Sequence, residues 1–405
     1  MDILHTGANG SGSAIIRLAI CATHPIQYQS PLWRRLAATP GIKVEAFFGS
    51  DMSVRGYIDR EFGTRVAWDT PLTDGYTHTF LSTDPRIQRI GHWTPNARGL
   101  SVHFRRFQPD VVMLTAYSGR FHLGAWRAAR AVGAKIIIRH EASDVAASRS
   151  WLKNKIRDFL LRRFYTRIDG FAEIGTEARK HLLRLGVPES KLKFAPYCVD
   201  TDFFANEVTR WMPQREKIRA ELGISPTDIA LLFVGKLVAK KDPLLIPRAL
   251  RLLPEGVVSR LHWIVVGDGD LRAVVEKEAS SVLGSRIHFF GFMNQSEIGR
   301  AYAAGDLLVL PSRRGAGETW GLVVNEAMQF GLGALVSDGV GCASNLIKDD
   351  TGAVFPSGDA QALAEAMVIS SSIPHEKTCR ATRSHIATYS VANAAEGIRA
   401  LVEAM

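Results

Sequence analysis

Cysteine is scarce in this 405-residue chain: Cys21, Cys198, Cys342 and Cys379 are scattered, with no CxxC pair and no companion histidines at metal spacing. A disulfide framework and a structural zinc site are therefore not expected, and a reducing cytoplasm fits. Long apolar runs are missing too. The longest are short, as at residues 229–234 and 263–266, against the roughly 20 residues needed to cross a bilayer. The start of the chain carries Asp2, polar and glycine residues, and an apolar run broken by Arg17, so no secretory signal is expected. Low-complexity tracts are absent. With 46% hydrophobic and 22% charged residues, the chain is globular rather than disordered. It is also too long for one ordinary core, so two domains are expected.

What is present is an uneven charge. The net +10 belongs to the first half: residues 1–200 hold 29 Lys and Arg against 17 Asp and Glu, whereas residues 201–405 hold 21 against 23. Such asymmetry points to an anionic partner for the first half, membrane lipid or an acidic substrate, although a cationic surface also serves solubility. Nucleic acid is disfavoured, because the basic half has no recognisable reading motif.

Gly7 to Ser13 superficially resembles a phosphate-cradling loop, but Ser13 takes the place of the required Lys, and the segment reads as a flexible leader. From Ile15 onward, short apolar runs alternate with helical patterns. Strands are predicted at 15–22, 43–48, 110–114, 135–139, 170–174 and 193–197, with helices between several of them; residues 51–100 stay unassigned. Ser30 with Pro31 reads as a helix N-cap and first turn. After a crossover near 198–204 the alternation restarts, with strands at 230–234, 262–266, 286–290, 307–310 and 334–337. This is the pattern of parallel βαβ units, which bind ligands at the carboxyl ends of their strands. His24 and His140 both fall at such ends.

The stretch 151–167 (WLKNKIRDFLLRRFYTR) carries six Lys and Arg and one acid, with Leu152, Ile156, Phe159, Leu160 and Phe164 at helical spacing. A surface helix that lays this stripe on its own sheet is the preferred reading; a helix lying on an anionic membrane is the other.

The second half gathers anion-binding features. Lys236 and Lys241 follow its first strand. In residues 305–331 a strand, stopped by Pro311, feeds a glycine-bearing loop and a helix predicted from about Trp320 to Gly331. Backbone N–H groups at such a helix start favour phosphate. Glu318 and Glu326, eight positions apart, can accept hydrogen bonds from vicinal hydroxyls, so the ligand suggested has both phosphate and sugar. Asp268-Gly269-Asp270 has the form of a metal-binding DxD but is better explained as a tight glycine turn, and the lysines take the place of a cation. Arg313 and Arg314 either favour an acidic sugar or face solvent.

Several segments resemble family-4 retaining glycosyltransferases of the GT-B fold: Phe233-Val234-Gly235-Lys236-Leu237 with Lys241, Val265-Val266-Gly267-Asp268-Gly269, His288 to Phe292, Ala301 to Asp306, Leu310-Pro311-Ser312, Glu318 to Glu326 as E-x7-E, Ser337-Asp338 and Phe355 to Asp359. The first half matches less strongly, through 109–112, Arg139-His140-Glu141, Glu173-Ile174-Gly175 and Pro196 to Phe203; His24 to Leu32 resembles a bacterial subgroup. The resemblance implies an α/β GT-B architecture of two doubly wound Rossmann-like domains facing a cleft. Residues 1–203 would form the acceptor domain and 204–385 the donor domain, with a helix from about 386 to 405 packed back on the first.

It also implies transfer of a sugar from a UDP- or GDP-sugar, with retained anomeric configuration and no metal or other cofactor, to a lipid-linked, glycan or other anionic acceptor. That is the setting of bacterial surface glycan biosynthesis, in the cytoplasm or peripherally on the inner membrane face. Lys236 and Lys241 would hold the diphosphate, Glu326 the ribose, and Glu318 the donor sugar. Gly235, Gly267, Phe292 and the amides of Thr319, Trp320, Gly321, Leu322 and Val323 would complete the donor pocket. His140 would approach the donor sugar, making His140, Glu318 and Lys241 the catalytic set. Lys236 stands where Arg is usual, and keeps the charge without the bidentate fork. The family's N-terminal glycine pair is replaced by the segment holding His24, Gln27 and Tyr28, the candidates for the acceptor. Asn345 stands where an acid is frequent. A GT-B sugar-nucleotide epimerase, or a catalytically silent sugar-nucleotide binder, would share the ribose and diphosphate contacts; the E-x7-E neighbourhood and the intact charged set favour the transferase.

Overall fold

The computed structural model describes residues 15–59, 64–66, 68–146 and 150–405; the glycine-rich leader lies outside them. Two all-parallel sheets carry the chain. The first has strands β1 (Ile16–Ala22), β2 (Ile42–Phe48), β3 (Thr77–Phe80), β4 (Val111–Leu114), β5 (Lys135–Ile138), β6 (Gly170–Glu173) and β7 (Leu192–Phe194), in the order 3-2-1-4-5-6-7. The second has β8 (Ile229–Val234), β9 (Leu261–Val266), β10 (Ile287–Gly291), β11 (Leu307–Leu310), β12 (Gly333–Ser337) and β13 (Gly352–Phe355), in the order 10-9-8-11-12-13. Both sheets grow outward in two directions from their first strand. That is the doubly wound arrangement, and the crevice where the order reverses is where such sheets bind ligands.

The strands are nearly continuous Val, Ile, Leu and Ala because helices cover both faces. Leu18, Ile20 and Ala22 face a core cluster on one side of the first sheet, and Ala19 and Cys21 face another on the opposite side. The second sheet divides its strands in the same way: Ala230 and Leu232 go to one cluster, Leu231 and Phe233 to the other. The chain has the expected pair of doubly wound, Rossmann-like parallel sheets. The helix Val391–Glu403 buries Ala394, Ile398, Leu401 and Val402 in the core of the first sheet, although it follows the whole second sheet in sequence. Gly397 makes this possible, since a Cβ there would lie 2.0 Å from the carbonyl oxygen of Phe194.

Two local expectations are corrected, and the unassigned stretch is filled. Ser30 is the first residue of the helix Ser30–Ala37 and not its cap; its hydroxyl donates to the carbonyls of Ile26 and Leu72. The unassigned stretch contains β3, which pairs with β2 as an edge strand, and an antiparallel ribbon of Tyr57–Asp59 with Thr64–Val66. The helix Trp151–Tyr165 lays only one end of its apolar stripe on the core: Leu161 and Tyr165 are its buried residues and Phe164 packs beside them, whereas Leu152, Ile156, Phe159 and Leu160 point outward.

Candidate active site

The loops after β8 and β11 meet at the switch point of the second sheet. The loop after β8 closes in a 3-10 turn, Ala239–Lys241, and the loop after β11 runs from Pro311 to Gly321. Across this crevice the Lys241 ammonium pairs with the Glu318 carboxylate, both largely buried, and the Ser312 hydroxyl donates to the same Glu318 oxygen at 2.9 Å.

Gly267 serves a close approach of its backbone to that of Gly235. The Gly235 N–H donates to Val266 at 2.9 Å and the Leu237 N–H to Asp268 at 2.9 Å, zipping the loop after β8 to the loop after β9. A Cβ on Gly267 would come 2.0 Å from the Gly235 carbonyl oxygen, and its φ of +126° is a region that L side chains avoid. Asp268 accepts from the Gly269 N–H at 2.8 Å and pairs with Arg272 at 3.0 Å, so the DxD-like triplet is a capped turn. Phe292, at the cleft end of β10, is 39% exposed.

The helix after β11 starts later than its pattern suggests. It spans Leu322–Gln329, and Gly321, with φ of 95°, is its cap. Leu322 and Val323 supply its first N–H groups, which an α-helix leaves without intrahelical acceptors. The Thr319 amide is already engaged, donating to Gly317 at 3.0 Å. The Trp320 ring is buried and its indole N–H donates to Asn325 at 2.8 Å, so only its backbone is available to a ligand. Glu326, one turn into the helix, accepts from the Tyr302 hydroxyl at 2.5 Å and from Gln295 at 3.5 Å. Burial pushes its carboxyl up to about 7. Arg313 is paired with Asp242 and Arg314 with Asp338, which favours the surface reading of both.

The first domain brings His140 to the end of β5. It is buried; a ring nitrogen lies 3.1 Å from the Tyr165 hydroxyl, and the Tyr117 ring stands edge-on at 5.0 Å. Burial lowers its pKa to about 3, so the imidazole is neutral at physiological pH. It cannot act there as a cationic acid, but it can hydrogen-bond a hydroxyl.

Glu141, read in the sequence only as a neighbour of His140, joins the halves. One of its carboxylate oxygens accepts from the Thr319 hydroxyl at 2.5 Å and the other from the Tyr197 hydroxyl. The pairs His140–Glu141 and Glu318–Thr319, far apart in sequence, are thereby tied by one hydrogen bond. Adjacent contacts reinforce the tie. Gly315 and Gly317 donate their N–H groups to Val145 at 2.9 Å and Ala146 at 2.8 Å, and Asn325 donates to the Tyr197 carbonyl at 3.0 Å. Asn345 accepts from the Thr176 N–H at 2.8 Å and donates to the Tyr389 hydroxyl at 3.0 Å, two roles that an amide fills at once.

The loop after β1 reaches this seam. Tyr28 stands edge-on to Tyr197 at 5.6 Å, and the Tyr197 ring in turn meets Trp320 at 5.8 Å. His24, held by the Thr23 hydroxyl at 3.0 Å, is kept neutral by burial, which lowers its pKa to about 4. Among the described residues, the side-chain carbonyls of Gln27 and Gln29 are buried with no hydrogen-bond partner.

Two family descriptions match the chain, one on each domain: "Glycosyltransferase Family 4" over residues 62–203 and "Glycosyl transferases group 1" over residues 214–384. Among curated proteins, sulfoquinovosyl transferase SQD2 of Arabidopsis thaliana is 29% identical over 266 residues, covering 63% of this chain and 48% of that protein. The chain spans less than half the length of the first curated relatives it matches. A glycosyltransferase from Rickettsia africae superposes with a TM-score of 0.69 at 14% identity, over 96% of this chain and 98% of that one. Anabaena HepE in complex with UDP-glucose does so with a TM-score of 0.63 at 14% identity, over 96% and 100%. At such identities these likenesses speak for the fold.

Proposed function

We propose that this chain, whose two halves match glycosyltransferase family descriptions, is a GT-B transferase that moves a sugar from a UDP- or GDP-sugar, with retained configuration, to a lipid-linked or glycan acceptor. The setting would be bacterial surface glycan assembly on the cytoplasmic side of a membrane. One observation carries the reading: the Lys241–Glu318 pair lies across the switch point, beside the first amides of the Leu322–Gln329 helix and the Glu326–Tyr302 pair.

Lys241 and Lys236 would take the diphosphate, with the Leu322 and Val323 amides at the helix start. Glu326 would accept from the ribose hydroxyls. The donor would split the Lys241–Glu318 pair: its diphosphate claims the ammonium, and the released carboxylate accepts from the sugar hydroxyls. Negative charge grows on the leaving diphosphate as the glycosidic bond breaks, and the fixed lysines and helix amides stabilise that charge most where water is excluded. The leaving phosphate oxygen would take the acceptor's proton, so the front-face route needs no protein nucleophile and no metal. Neutral His140 would orient the donor sugar through a hydrogen bond. His24, Gln27 and Tyr28 would receive the acceptor; the Gln27 carbonyl has no hydrogen-bond partner among the described residues.

A thermal-shift panel of UDP-, GDP- and ADP-sugars tests this. Stabilisation by sugars of one base, weakened in Glu326→Ala, is expected; no response to any of them would overturn the donor assignment. Release of nucleoside diphosphate only when an acceptor is added separates transfer from silent binding.

A further inference from the structure

The outward face of the helix Trp151–Tyr165 takes no part in the proposed chemistry. Trp151, Leu152, Ile156, Phe159 and Leu160 are each between 55% and 72% exposed, and they occupy one side of the helix. Isolated exposed apolar side chains are ordinary, but five on one helical face are not. Cations stand on the same face: the Lys155 ammonium lies over the Trp151 ring at 5.6 Å and the Arg163 guanidinium over the Phe159 ring at 6.0 Å. Past the end of the stripe, Phe159, Arg162, Arg163, Thr166 and Arg167 line a shallow cavity of about 460 Å³. The helix's single acid, Asp158, is neutralised by Arg157 and Arg184.

The geometry points to an anionic lipid bilayer as the occupant of this face. Apolar side chains interleaved with long cationic ones suit the boundary between acyl chains and headgroups, where Lys and Arg stems lie along the apolar zone and their charges reach phosphates. The arginine-lined cavity adds a place for a headgroup phosphate. A second copy of the chain is a poor occupant, because the same cationic face would be brought against itself.

The helix also adjoins the reaction site. Its Arg157 donates to the Tyr117 hydroxyl at 3.1 Å, and its Tyr165 hydroxyl meets His140 at 3.1 Å. A bilayer on the outer face would deliver a lipid-carried acceptor to the neighbourhood of His140; this last step rests on the transferase reading, whereas the surface itself does not.

Sedimentation of the full chain with phosphatidylcholine vesicles, with and without phosphatidylglycerol, tests the assignment. Binding is expected only with phosphatidylglycerol, and it should fall as salt rises. Phe159→Ser/Leu160→Ser and Lys155→Glu/Arg163→Glu, all exposed positions, should each weaken it by roughly tenfold or more, with nucleotide-sugar binding unchanged. Equal binding to both vesicle types, unaltered binding by both variants, or a wild-type dimer that Phe159→Ser/Leu160→Ser disperses would overturn it. Vesicle binding without nucleotide-sugar binding would instead sink the transferase reading and leave this surface standing.

Discussion

Replacing Glu326 with Gln should make the protein more stable and a poorer donor binder at the same time. In the native state burial raises this carboxyl from its ordinary value of 4.5 to about 7. Between those two values the folded protein still holds a proton that the unfolded chain has released. Stability therefore declines as pH rises through that window, and above about 7 the whole cost of burying the charge is present. The size of the rise converts to about 3 kcal/mol at pH 8. Gln is close in shape and can still accept from the Tyr302 hydroxyl, so it removes the charge without opening a cavity. Thermal unfolding at pH 8 should shift upward by several degrees in Glu326→Gln, with little change at pH 4, where the native carboxyl is protonated. Donor affinity should fall by about tenfold, because a hydrogen bond to a charged group is worth about 1.5–3 kcal/mol against about 0.5–1.5 kcal/mol for one to a neutral amide. In the wild type, donor affinity should weaken as pH drops below about 7, and this dependence should vanish in the variant. Equal unfolding midpoints of variant and wild type at pH 8 would refute the burial argument. Unchanged donor affinity would refute the ribose role.

Lys241→Ala should lower turnover more than tenfold, about 1.4 kcal/mol of transition-state stabilisation; steady-state kinetics showing full activity would remove the diphosphate role. Glu141→Ala and Thr319→Val should each slow transfer, and a double-mutant cycle should show coupling of about 1 kcal/mol, because both remove a hydrogen bond that joins the domains. Additive effects would show that this bond does not hold the halves together in the reacting state. Gly267→Ala should destabilise the donor domain by about 2 kcal/mol or more, since the new Cβ meets the Gly235 backbone rather than a movable side chain; an unchanged denaturant midpoint would show that the two loops can separate.

Strand composition and alternation with helices made the two-domain α/β plan readable from the chain, since buried parallel strands must be apolar throughout and their helices amphipathic. The residues later found at the second switch point, Lys241, Glu318 and Glu326, were also readable, because they lie within short segments after strands. The outward face of 151–165 was not. Helical spacing marks an apolar stripe without saying which of two sides meets the sheet, and Leu161 with Tyr165, not Leu152 with Ile156, turned out to be inside. Nor was the partner of Glu326: Tyr302 reads as one more apolar position in its helix, and only packing brings its hydroxyl to the carboxylate.

By itself the sequence determined which elements form and which polar residues sit at strand ends, since both follow from neighbours along the chain. Tertiary structure alone decided how the halves meet: Glu141 against Thr319, Tyr28 against Tyr197, and the last helix returned to the first domain. Those contacts join residues up to hundreds of positions apart, and no local periodicity encodes them; they arise because two sheets, each complete in its own pattern, leave one shared crevice to fill.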